Sequence, residues 1–158
     1  GVAKSNLHLD KEAIIDFDKA VKFDPKNADL IYYRANSKGN IGDFKGAIED
    51  YTTTLSIDPN NVHAVFYRGN AEGNLGNYKA AIADYKKTIE MDPKMPNAYK
   101  YLAHALANDD DEQATLDYFA NQIKKDPDNP ELHLNTAQNS AAALADEVIR
   151  ELTRRGIF

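Results

Sequence analysis

The sequence predicts an all-α solenoid, a stack of antiparallel helix pairs that repeats every 34 residues. Three observations predict it. Asp-Pro occurs at Asp24-Pro25, Asp58-Pro59, Asp92-Pro93 and Asp126-Pro127, each pair 34 residues after the one before. The register between these markers is shared, with Ile31-Tyr32-Tyr33-Arg34-Ala35-Asn36 matching Val65-Phe66-Tyr67-Arg68-Gly69-Asn70, and Ile41-Gly42-Asp43-Phe44 matching Leu75-Gly76-Asn77-Tyr78. Apolar residues between the markers recur at helical steps, as in Phe44, Ala47, Ile48, Tyr51 and Leu55. A fixed period of this length means that one supersecondary unit is stacked on the next.

Taken in order, the chain reads as one domain over residues 1–158: a partial repeat at 1–27, repeats at 28–61, 62–95 and 96–129, and a C-terminal half repeat with a capping helix at 130–158. The spacing predicts helices over about 28–41, 44–57, 62–75, 78–91, 96–108 and 111–125. Asn27, Asn61 and Asn129 stand where a side-chain oxygen caps a first helix, and Pro96 and Pro130 fall in a first turn, where no backbone N–H is missed. Gly42 and Gly76 break each unit, and Asp43 or Asn77 is placed to cap the second helix. Asp-Pro ends that helix, because a residue before proline is pushed out of the helical region. In the fourth repeat Asp110, Glu112 and Thr115 replace the turn glycine, the aromatic and the alanine, so this repeat is expected to be the least well-packed interior unit. After Pro130 the register fails. Leu144, Val148, Ile149 and Leu152 form one apolar stripe, suited to a helix that covers the end of the stack, with Ile157 and Phe158 as a short tail packed on it.

Composition narrows the function classes. The 158 residues are 42% apolar and 28% charged, enough to bury a core. No apolar run approaches the roughly 18 residues of a membrane span. Without cysteine there are no disulfides, thiolate nucleophiles or cysteine metal sites. A formal charge of −6 disfavours nucleic acid, whose phosphates are bound by clustered Lys and Arg, and favours neutral or mildly basic polypeptides. Gly1 falls in the middle of a repeat, so a longer parent chain is expected, and no address signal marks a compartment.

The marker residues resemble the tetratricopeptide repeat family over nearly the whole chain. The small residue of the first helix is Gly1, Ala35, Gly69, Ala103 and Ala137; that of the second is Ala13, Ala47 and Ala81, followed by Phe17, Tyr51, Tyr85 and Phe119. The resemblance implies a right-handed solenoid whose first helices line a concave groove, and a non-catalytic role in holding a partner protein. Arg34 and Arg68 recur with Asp50 and Asp84 sixteen residues later, and both members are lost together at Leu102 and Tyr118. The joint loss points to a structural pair within each repeat, with Asp16 as an inter-repeat alternative for Arg34.

Carrying over the family's inward positions gives a candidate peptide-binding groove of Tyr32, Tyr33, Asn36, Asn40, His63, Phe66, Tyr67, Asn70, Asn74, Lys100, Tyr101 and His104. Amides offer a donor and an acceptor to a peptide unit, and tyrosines supply area at low entropy cost. Gly39 and Gly73 lie one turn from these amides and leave a bare floor. Family members that hold the acidic tails of heat-shock chaperones use a carboxylate clamp of lysine, arginine and asparagine. Its positions here read Tyr32, Asn36, Tyr67, Asn97 and Tyr101, of which only Asn36 fits, and a frame one repeat on reads Phe66, Asn70, Tyr101, Glu131 and Asn135. A chaperone-tail ligand is therefore not expected.

Enzymatic signals are weak. His8, His63, His104 and His133 form no helical metal pair, no glycine-rich phosphate loop is present, and Asp109-Asp110-Asp111-Glu112 reads as a helix start favoured by the dipole. Neither catalysis nor a metal or other cofactor is expected. The alternative to a binding module is a scaffold or spacer within a larger protein, or an array that self-associates through its truncated N-terminal end.

Overall fold

A computed structural model describes residues 2–95 and 97–109, together with Tyr118 and Asn121. Six helices account for nearly all of it: α1 (Val2–Phe23), α2 (Ala28–Asn40), α3 (Phe44–Ile57), α4 (Val62–Asn74), α5 (Tyr78–Met91) and α6 (Ala98–Asn108). Each helix packs on the next in the chain, and the first helices touch across repeats, α2 on α4 and α4 on α6. No strand occurs among the described residues. The chain is an all-α helical repeat solenoid. The fourth repeat's second helix, its weak packing, and the capping helix and tail expected beyond Pro130 lie outside the described residues, apart from Tyr118 and Asn121.

The local signals act largely as read. Asn27 and Asn61 accept from the N–H of Leu30 and Ala64 at 3.3 and 2.9 Å, and Asp43 accepts from Gly46 at 3.0 Å. Asn77 does not cap: its amide donates to Glu72 Oε2 at 2.7 Å. The turn glycines Gly42 and Gly76 have φ of 85° and 78°, a region that costs a side-chain-bearing residue strain. Asp58 and Asp92 do more than precede proline, for each Oδ1 accepts from the N–H two residues on, Asn60 at 3.2 Å and Lys94 at 3.0 Å.

Two boundaries differ from expectation. Helix α6 starts at Ala98 rather than at 96, behind Asn97 with φ of 62°. The place of the caps Asn27 and Asn61 is taken here by Met95, which has no oxygen to offer and is buried instead, so the chain turns through the left-handed asparagine before the helix begins. At the other end, α1 runs unbroken through the position where a turn between the two helices of the first repeat was expected. His8 stands where Gly42 and Gly76 stand in later repeats, and nothing there supplies the positive φ of a turn.

The core sits between the paired helices. Ala35, Ala47 and Tyr51 fill one layer, and Ala81, Ile82, Tyr85, Leu102 and Leu106 fill the next. Gly69 is required by a close approach: a Cβ there would lie 3.0 Å from Tyr85 Cε1 and 3.1 Å from Asp84 Cβ. Thr54 and Thr88 are fully buried, and each hydroxyl donates to the carbonyl of the aspartate one turn back, Asp50 at 2.9 Å and Asp84 at 2.8 Å.

Candidate functional site

Two cavities open on the face formed by α2, α4 and α6, and they are copies of each other one repeat apart. The larger, about 390 Å3, is lined by Asn36, Gly39, Asn40, Phe44, Tyr51, Tyr67, Asn70, Ala71 and Asn74. The smaller, about 250 Å3, is lined by Asn70, Gly73, Asn74, Tyr78, Tyr85, Tyr101, His104 and Ala105. Asn36 answers to Asn70, Gly39 to Gly73, Asn40 to Asn74, Tyr51 to Tyr85 and Tyr67 to Tyr101. Asn70 and Asn74 belong to both, which makes the cavities one continuous groove.

Seven of the twelve residues read as groove residues meet there: Asn36, Asn40, Tyr67, Asn70, Asn74, Tyr101 and His104. Tyr33 is exposed and Tyr32 half-buried, and both lie outside the two linings. His63 and Lys100 are exposed and line neither cavity. Phe66 is a correction: only 5% of it is exposed, because it turns into the core beside Tyr85 and braces Tyr101 edge-on at 5.6 Å. Sequence reading missed the floor. Tyr51, Tyr85, Phe44 and Tyr78 come from second helices, and the spacing that placed Tyr51 and Tyr85 as packing residues also carries their hydroxyls through to the groove.

Those hydroxyls fix the amides. Tyr51 Oη donates to Asn36 Oδ1 and Tyr85 Oη to Asn70 Oδ1, both at 2.7 Å. Burial, reinforced by neighbouring phenols and then by the adjacent aspartate, holds both tyrosines well above the usual range, so they remain protonated donors. Each amide oxygen thereby has a partner, which leaves the NH2 of Asn70, and the N–H of Asn36 that is not turned to Tyr32, to give to a ligand. Tyr32 is also raised, by burial above all, with the Asn36 amide partly opposing. One turn on, Asn74 and Asn108 donate from their NH2 groups to the carbonyls of Asn70 and His104 at 2.8 and 2.7 Å. Asn40 donates to Asp10 at 3.2 Å.

Rings run along the same face. Tyr33 stacks on Phe17, Tyr67 on Tyr51 and Tyr101 on Tyr85, with centroids 6.3, 6.4 and 5.9 Å apart and planes within 17°, 20° and 27°. Every exposed tyrosine of a first helix is therefore backed by the aromatic of the preceding second helix. Among the described residues no group of acidic, histidine or cysteine side chains is arranged to hold a metal, and no helix is long and apolar enough to cross a membrane.

Comparison with known proteins agrees with this fold. The family model described as TPR repeat matches residues 69–110. Among solved structures, the TPR domain of Arabidopsis OM64 is 26% identical, with a TM-score of 0.60 over 66% of this chain and 91% of that one. The first TPR of Spaghetti (RPAP3), bound to the HSP90 peptide SRMEEVD, is also 26% identical, with a TM-score of 0.60 over 62% of this chain and 78% of that one. MamA from Desulfovibrio magneticus RS-1, from residue 41 to its end, shares the fold at 20% identity, with a TM-score of 0.68 over 98% of this chain and 92% of that one. No curated protein matches the sequence significantly.

Proposed function

Since this chain is built of tetratricopeptide repeats, we propose that it is a non-catalytic interaction module that holds an extended peptide segment of a partner protein in its concave groove. The observation that carries this reading is the duplication of the cavity: the same asparagines, glycine and tyrosines recur one repeat apart and share Asn70 and Asn74. A ligand that spans both must be long, and a polypeptide is the long ligand whose polar groups recur at short intervals. Tyr33, Tyr67 and Tyr101 add exposed, braced area of the kind that anchors protein contacts.

The ligand is neutral or mildly basic rather than acidic or a nucleic acid. No cationic side chain lines the larger cavity, and the chain carries a formal charge of −6. Spaghetti (RPAP3) binds an acidic HSP90 peptide, but the clamp positions here hold Tyr32, Asn97 and Tyr101 where such a ligand needs cations. The test is a lysate pull-down against a Tyr33→Ala, Tyr67→Ala, Asn70→Ala triple variant of matched thermal stability. Proteins retained only by the unchanged chain support the groove; identical retention by both chains refutes it.

A second reading has an observation of its own. Leu9 and Ile15 of α1 are more than half exposed, and Ala13 and Ala20 are only half-buried where their counterparts Ala47 and Thr54 are fully buried. An array or scaffold that joins through this helix would cover that surface. A mass that rises with concentration in sedimentation equilibrium, and falls back on Leu9→Lys, favours it; a monomer at all concentrations removes it.

A further inference from the structure

The spacing and polarity of the groove identify a conformation for its occupant. We propose that the groove takes a proline-rich segment in the polyproline II conformation, its rings seated on Tyr67 and Tyr101 and its carbonyls accepting from the Asn36 and Asn70 amides. This rests on the groove being the binding site and goes further, naming the class of peptide.

Spacing is the first argument. Tyr67 is linked to Tyr101 by ring-to-ring steps of 5.3 and 5.6 Å through Phe66, and Tyr33 to Tyr67 by steps of 5.3 and 6.4 Å through Tyr32. Equivalent tyrosines cannot lie farther apart than two such steps. The helices that carry them approach no closer than ordinary packing allows, about 8–10 Å between axes. A polyproline II helix returns to the same side every third residue, about 9.3 Å along its axis. A β-strand returns every second residue, about 6.8 Å, and its third residue faces away. The polyproline II return of about 9.3 Å falls within the ordinary spacing, about 8–10 Å, of the helices that carry the tyrosines, and the strand return of about 6.8 Å falls below it.

Polarity is the second argument. A polyproline II segment makes no internal hydrogen bonds, and its prolines have no N–H, so it arrives with unpaired carbonyls and few donors. The groove answers with donors at the repeating position: Tyr51 and Tyr85 donate to the oxygens of Asn36 and Asn70, and the NH2 of Asn70, with the N–H of Asn36 that is not turned to Tyr32, is left to give. Asn74, which lines both cavities and donates from its NH2 to Asn70, has an amide oxygen to accept the N–H of an occasional non-proline residue. Low charge and braced rings complete the match, because proline-rich ligands are held by aromatic grooves and lose little entropy on binding.

The test uses decaproline, with binding read from the fluorescence of the chain's tyrosines, which no tryptophan obscures. Saturable binding that weakens about tenfold or more in Tyr67→Ala and, separately, in Asn70→Ala is the expected result. Tyr101→Ala, at the second cavity, serves the same purpose should Tyr67→Ala fail to fold. Saturation unchanged in folded variants places decaproline elsewhere and overturns the proposal. No saturation, alongside groove-dependent partners from the pull-down that lack proline-rich segments, overturns this inference and leaves the groove reading standing; no saturation and no groove-dependent partner overturns both.

Discussion

Arg34 meets Asp50 through two parallel hydrogen bonds, Nε to Oδ2 and Nη2 to Oδ1, both 2.8 Å. The same fork joins Arg68 to Asp84 at 2.8 and 2.7 Å. The outer face of each guanidinium reaches back to the previous second helix, Arg34 to Asp18 at 2.8 Å and Arg68 to Thr52 at 3.4 Å. The arginine therefore ties three consecutive helices together. Its inter-repeat partner is Asp18 rather than Asp16, which pairs with Lys19 on the same helix. In the next repeat the three corresponding positions are Lys86, Leu102 and Tyr118: leucine is buried in the middle, and the lysine lies over the tyrosine ring at 5.0 Å.

The two arginines differ in what their loss leaves behind. Lys38 also contacts Asp50, at 2.8 Å, whereas its counterpart in the next repeat is Glu72. Arg34→Leu leaves a buried aspartate still paired and is expected to cost about 2 kcal/mol. Arg68→Leu leaves Asp84 buried without a cation and near a like charge, and is expected to cost about 3–4 kcal/mol. Thermal melting checks the order, at about 2–4 °C per kcal/mol for a chain of this size. Equal losses, or a larger one for Arg34, would contradict the role given to Lys38.

Alkaline pH should unfold the solenoid through its buried tyrosines. Tyr32, Tyr51 and Tyr85 are raised above the ordinary tyrosine value by burial, so the folded state keeps protons that the unfolded state gives up. Stability is then full below pH about 10 and falls as pH climbs beyond it. Absorbance of tyrosinate should show some of the nine tyrosines ionising only with unfolding. Tyr51→Phe and Tyr85→Phe should flatten the dependence of the melting temperature on pH above that point.

Much of the fold was legible because backbone chemistry writes it directly. Asn27 and Asn61 cap, Gly42 and Gly76 turn, and the helices over 44–57 and 78–91 have the bounds their spacing predicts. The site was only half legible. A 34-residue register says which helix face a residue shares but not how deep its side chain lies, so Phe66 read as groove wall although it is core. It does not say which atoms are already bonded, so Asn36 and Asn70 read as two-sided when Tyr51 and Tyr85 hold one side. The caps show the same limit at Asn77, whose amide is taken by Glu72.

The bond from Tyr51 to Asn36 should be detectable as coupling. Asn36→Ala strands a buried hydroxyl and is expected to cost about 1–3 kcal/mol, while Tyr51→Phe costs about 1. In the double variant nothing is stranded, so its loss should fall short of the two single losses added together by about 1 kcal/mol. Denaturant unfolding of the four proteins measures this. Strict additivity would show that the bond contributes nothing, and would free Asn36 Oδ1 for a ligand.

Glycines inside α4 separate stability from binding. Gly69→Ala gains about 1 kcal/mol of helix propensity, but its Cβ meets Asp84 Cβ, which sits on the backbone of α5 and cannot swing aside. A net loss of about 1 kcal/mol is expected, since overpacking typically costs 1–3. Gly73 is the opposite case: a Cβ there finds Tyr85 Oη at 3.7 Å and Ala81 Cβ at 3.8 Å, ordinary contacts. Gly73→Ala should therefore raise stability by close to the full propensity gain, about 1 kcal/mol. It also adds a methyl to the lining of the smaller cavity, where a ligand backbone would pass. A stabilised variant that retains less of the groove-dependent partner would show that the glycine is kept for access, at the expense of the helix. Undiminished retention would mean that the ligand crosses the groove without using the floor at Gly73.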